Sequence, residues 1–136
     1  MECILFPEQY KLIFKISFLT LGSCIYAMYS GYSWLSICPG GIFLTSVNYW
    51  RKPDYSWRQS LDIAYVNLAI SYQIFKAYNA EYMVLYYALN LLAMCFYPLG
   101  FYFYKKKQYW RSTYAHCALH IIANISCVVL YSGKIM

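Results

Sequence analysis

The chain alternates long apolar runs with short polar or basic interruptions. Apolar stretches of about 20 residues, the length of helix that crosses a hydrocarbon core, cover 12–29, 60–78, 82–104 and 110–131. A fifth, 32–50, carries CPGG at Cys38 to Gly41 in its middle. Proline removes a backbone donor there and the glycines loosen the chain, so a break is expected. Pro98 reads as a kink in the fourth stretch. The pattern predicts an all-α, polytopic membrane helix bundle with five transmembrane helices, or four if 32–50 does not cross.

The interruptions choose between five and four. Lys and Arg in short loops collect on the cytoplasmic side. With five crossings, Lys11, Lys15, Arg51, Lys52, Arg58, Lys105, Lys106, Lys107 and Arg111 share one face, and Lys76 and Lys134 take the other. Four crossings weaken the split to seven against four. Five crossings also place the N-terminus in the cytoplasm and the C-terminus outside or in a lumen.

Composition points the same way. Of 136 residues, 62% are hydrophobic and 12% charged, more apolar surface than a soluble domain of this size hides. The 18 tyrosines and four tryptophans supply rings of the kind that gather at membrane interfaces. Loop asymmetry accounts for the net charge of +6. YKKKQYWR, Tyr104 to Arg111, reads as a topology signal and a contact for anionic lipid, with no nucleic-acid module beside it. Cys3, Cys24, Cys38, Cys95, Cys117 and Cys127 stand singly, without metal-finger spacing, and read as small hydrophobes rather than a disulfide framework. The acidic start (Glu2, Glu8) and the lack of a small-residue cleavage pattern argue that the first stretch is a retained span, not a signal peptide. No repeat or linker divides the chain, so 1–136 is expected to be a single integral-membrane domain, with membrane lipids and a further copy of itself as partners.

Ionisable side chains at membrane depth are costly and mark functional candidates. Asp62 opens the third stretch; His116 and His120, the chain's two histidines, lie early in the last. On a helix, His116, His120 and Asn124 fall on one face at i, i+4 and i+8. Under five crossings, Ser46, Asp62, His116 and His120 lie at similar depth near the cytoplasmic face. Two imidazoles and the Asp62 carboxylate would supply three zinc ligands and leave a fourth place for a water of lowered pKa. Two plainer readings stand beside that one. The histidines would hydrogen-bond between helices, and Asp62 would pair with Arg58 one turn before it.

These residues resemble a known family. SVNYW (Ser46 to Trp50), then Leu61–Asp62, then HCALH (His116 to His120) are similar to the motifs of the CREST superfamily of membrane hydrolases, which includes alkaline ceramidases and the progestin and adipoQ receptors. The resemblance implies a seven-helix bundle, zinc held by three histidines, a serine and an aspartate beside the metal-bound water, and amide hydrolysis of sphingolipids. Ser46 would match the family serine, Asp62 the aspartate, and His116 and His120 the paired ligands. Trp50 stands where the family has its first histidine, and five stretches stand where it has seven helices.

Three functions follow as expectations. One is a zinc-dependent lipid amide hydrolase or a degenerate relative, with Ser46 and Asp62 as catalytic residues, Ser46 supporting the oxyanion, and His116, His120 and Asp62 as metal ligands. The second is a non-enzymatic structural or assembly membrane protein, of viral flavour in its compact, Tyr-rich chain. The third is a channel or transporter built on the broken CPGG helix.

Overall fold

The structure is a computed structural model and describes residues 4–135; Glu2 and Cys3 lie outside them. Six helices and no strand occur among the described residues. Helix α1, Pro7–Ile16, starts with proline at a position that needs no donor, and the Gln9 side-chain carbonyl accepts the Phe6 N–H at 3.0 Å. Helix α2, Phe18–Tyr29, continues the same rod after a bend at Ser17. The Ser17 hydroxyl donates to the Ile13 carbonyl at 2.9 Å, and such back-bonding bends helices. Helices α3, Ser33–Trp50, α4, Trp57–Lys76, α5, Met83–Lys105, and α6, Tyr109–Ser132, follow.

Five long rods therefore stand where five apolar stretches were expected, but the expectation that all five qualify as spans is corrected. Three helices are long and apolar enough to cross a membrane: Pro7–Tyr29, Met83–Lys105 and Tyr109–Ser132. Helix α3 is diluted by Pro39, Gly40, Gly41 and Asn48, and α4 by Arg58, Gln59, Asp62, Asn67 and Gln73. The expected break at CPGG is corrected as well, because α3 runs unbroken through Pro39. The Tyr65 hydroxyl donates to the Ile37 carbonyl at 2.6 Å and holds the weakened turn from the neighbouring helix. Gly41 makes room for this bond, since a Cβ there would collide with the Tyr65 ring.

The neighbours form an arc. Helix α3 packs between α2 and α4, α6 packs between α2 and α5, and α1 rides on α3 and α6. The arc's ends, α4 and α5, share no packed seam. They are tied near the 77–82 turn, where Gln73 Nε2 donates to the Tyr86 hydroxyl at 3.0 Å and the Tyr87 hydroxyl to the Ile74 carbonyl at 2.9 Å. One apolar cluster, with Leu35, Tyr86, Leu130 and Tyr131, closes that end. Another, with Ile13, Tyr49, Trp50 and Cys117, closes the opposite end. There the Ile4 N–H donates to the Pro53 carbonyl at 3.0 Å, and the α3–α4 and α5–α6 turns with the helix ends beside them carry seven of the eleven Lys and Arg residues.

What lies inside and outside decides the class of protein. Ser17, Thr20, Ser23, Ser46, Thr113 and Ser126 are buried, whereas Val84, Phe75, Leu68 and Leu91 are 75%, 72%, 72% and 67% exposed. Small and polar groups inside with large apolar ones outside is the arrangement a lipid solvent favours, because hydrocarbon gives apolar side chains no reason to hide. Together with its three apolar helices, this inversion marks an integral membrane protein.

Candidate functional site: a cavity inside the arc

Because α4 and α5 diverge from their common turn, the arc encloses a cavity of about 260 Å³. Thr20 of α2, Ser46 of α3 and His116, His120 and Asn124 of α6 form its inner wall. Its lining residues on α4 and α5 include the exposed Ile63, Asn67, Met94 and Tyr97, so the mouth opens sideways between those two helices. The mouth is mainly apolar and the wall opposite it is polar.

All four residues singled out from the sequence, Ser46, Asp62, His116 and His120, line this one cavity. The Ser46 hydroxyl donates to Asp62 Oδ1 at 3.3 Å. The expected Arg58–Asp62 pair is corrected. Arg58 Nη2 bonds Asp54 Oδ2 at 3.0 Å, and its guanidinium also donates to the carbonyls of Asn48 at 3.0 Å and Lys52 at 2.8 Å. These acceptors hold it back over the α3–α4 turn, away from the cavity. The Asp54 carboxyl, in that turn, is lowered below the usual carboxylate range by the Ser56 hydrogen bond and then by Arg58. Asp62 is left with the Ser46 hydroxyl, the Thr45 hydroxyl beside it and no ion pair among the described residues.

The histidine stripe divides. His116 and His120 face each other with their Nε2 atoms 3.2 Å apart, within hydrogen-bond distance when one of the two nitrogens carries a proton. Asn124 turns instead to α2. The Ser23 hydroxyl donates to its Oδ1 at 2.6 Å, and its Nδ2 reaches the Thr20 hydroxyl at 3.4 Å and the His120 carbonyl at 2.7 Å. The Trp50 ring lies 4.8 Å from the His116 ring, centroid to centroid, and its buried Nε1–H has no acceptor among the described residues. Tryptophan thus sits against the first histidine, on the face where the family resemblance would put a third.

No three of the described histidine, cysteine and acidic side chains gather as a ligand set. The two imidazoles supply at most two donors, and the indole N–H of Trp50 beside them only donates. The described residues do not assemble the three-donor zinc centre.

Residues that attention to ionisable groups passed over also line the cavity: Asn67, Gln73 and Asn90, and the thiols of Cys38 and Cys127. Neutral amides in mid-span apolar runs were the signal that would have found the first three. No family model, curated protein or solved structure matches the chain.

Proposed function

We propose that α3 and α4, too polar to qualify by composition alone, cross beside the three apolar helices with polar side chains turned to the cavity. That cavity holds a lipid-like amphiphile, in the manner of a degenerate, metal-free relative of the membrane lipid amidases the chain resembles. The observation that carries this reading is Asp62: a carboxylate without a cation, held by Ser46 in a cavity whose mouth is apolar and opens sideways. A donor-bearing head group, such as an amide or hydroxyl, would satisfy Asp62 and the histidine pair. A cavity of about 260 Å³ takes such a head and a few methylenes, and the rest of the chain leaves between α4 and α5. Gathering nine cations on one face supports a cytoplasmic N-terminus and an outer or lumenal C-terminus.

Native mass spectrometry of the full chain released from detergent tests this. The expected result is about one amphiphile per chain more in the parent than in Ala123→Phe, which fills the cavity. Equal lipid content in both proteins overturns the reading. One zinc per chain, lost in His116→Ala/His120→Ala, overturns its metal-free form.

A second reading, a structural or assembly bundle, is favoured by Asn124, whose bonds to Ser23 and Thr20 pin α6 to α2. It predicts a cavity without a bound amphiphile and polar residues that matter only to folding. The continuous α3 removes the discontinuous helix that a channel or transporter reading relied on.

A further inference from the structure

We propose that a recess at the basic end of the bundle binds the phosphate of an anionic lipid head group. The recess measures about 360 Å³ and lies between the start of α1 and the α5–α6 turn, with Phe6, Gln9, Lys107, Gln108, Trp110 and Arg111 around it. It is separate from the central cavity and shares no lining residue with it. The inference rests on the membrane reading of the bundle, though not on what the central cavity holds.

The cations of this turn have different orientations. Lys105 and Lys106 lie back along α5, over the rings of Phe101 at 4.7 Å and Tyr102 at 5.8 Å. Lys107, whose backbone is left-handed with φ 60°, lines the recess. Its N–H bonds the Tyr104 carbonyl and the Gln108 N–H the Phe103 carbonyl, the paired bonds that close a helix C-terminus around a left-handed residue. Arg111 lies over the Phe103 ring of α5 at 5.9 Å, its Nη1 donates to Gln108 Oε1 at 3.4 Å, and its side chain lines the same recess. Neither Lys107 nor Arg111 meets a carboxylate: the ion pair found among the described residues is Arg58–Asp54. Two cations without an ion pair among the described residues, one of them a planar fork, flank a recess with side-chain amides on its wall. That is the chemistry of phosphate recognition.

Aromatic rings set the depth. Phe6 packs edge-on to Tyr109 at 5.9 Å, and Trp110, 47% exposed, tilts against Tyr114 at 5.8 Å. Such rings stand at head-group level, so the recess meets the phosphates of the leaflet, where a basic pocket favours anionic lipid.

The same helix cap elsewhere shows what Lys107 costs. At the end of α2 the left-handed position is Gly31, φ 88°, with the same pair of backbone bonds closing around it. Glycine adopts that conformation freely, whereas a lysine there is strained. Lys107→Gly therefore removes a cation without straining the cap, so a loss of lipid there is not a loss of fold.

Native mass spectrometry and thermal melting of the detergent-solubilised full chain would be compared in phosphatidic acid, phosphatidylcholine and inorganic phosphate. The expected result is retention of phosphatidic acid over phosphatidylcholine, reduced about fivefold by each of Lys107→Gly and Arg111→Gln. Lys107→Gly should melt no lower than the parent chain, and Ala123→Phe should leave this retention unchanged. Equal retention of phosphatidic acid by the parent and both variants overturns the proposal. A melting shift from inorganic phosphate as large as that from phosphatidic acid overturns the lipid assignment in favour of a soluble phosphate.

Discussion

Two polar clusters lie inside this bundle, and they are satisfied to different degrees. Near the 77–82 turn, Gln73 accepts from the Tyr131 hydroxyl at 2.5 Å and donates to the Tyr86 hydroxyl at 3.0 Å and the Cys127 sulfur at 3.2 Å. Gln73, Tyr86 and Tyr131 are all buried, and the network ties α4, α5 and α6 together. At the other end, Asp62 has one long bond from Ser46, the histidines bond each other, and the Trp50 N–H bonds nothing among the described residues. A satisfied network rigidifies; an under-satisfied one costs stability and leaves groups available to a ligand. The first cluster fixes the fold, and the second is where function is to be sought.

Substitutions at the two ends should separate these roles. The largest effect is expected from Gln73→Leu, which strands two buried hydroxyls and should cost about 3 kcal/mol in unfolding measured in detergent. Tyr131→Phe removes one bond and should cost about 1–2 kcal/mol by the same measurement. Asp62→Asn keeps an acceptor for Ser46 but removes an unpaired charge. It should leave stability unchanged or raise it by up to about 1 kcal/mol, while the bound amphiphile is lost. A destabilisation matching that of Gln73→Leu would erase the distinction between the clusters. Trp50→Phe trades ring contacts for the loss of an orphaned N–H, and should fall within about 1 kcal/mol of the parent.

The two aspartates near Arg58 extend the comparison to pH. Asp54 has its folded pKa depressed by Ser56 and Arg58. Its contribution to stability is therefore complete above the unfolded carboxylate pKa of about 4 and is lost as pH falls through the lower folded value. Acid melting curves should show this loss below about pH 4, reduced in Asp54→Asn. A loss unchanged by Asp54→Asn would place the acid sensitivity elsewhere.

Much of the architecture was legible in advance. The apolar runs located all five rods to within a few residues at most ends, because a helix in lipid must satisfy its own backbone and so announces itself by length. The exception is the first, whose α1 starts at Pro7, ahead of the apolar stretch, because capping rather than hydropathy begins it. The helical stripe His116, His120, Asn124 followed from spacing, as did the approach of α3, α4 and α6 residues at one depth. CPGG was misread because one proline removes one backbone bond without ending a helix packed between neighbours, and α4 adds a bond of its own there, from Tyr65 to the Ile37 carbonyl.

What the sequence by itself determined is therefore the set of helices, the basic end and the residues worth watching. Only the tertiary structure decided how they pair. Asp54 and Asp62 each lie four residues from Arg58, one before and one after, and spacing cannot choose between them. The α3–α4 turn chooses, because it presents the Asn48 and Lys52 carbonyls on the side of Asp54, and one guanidinium takes all three acceptors at once. The charge left over is Asp62, and its isolation in the cavity is a property of the folded turn rather than of the chain.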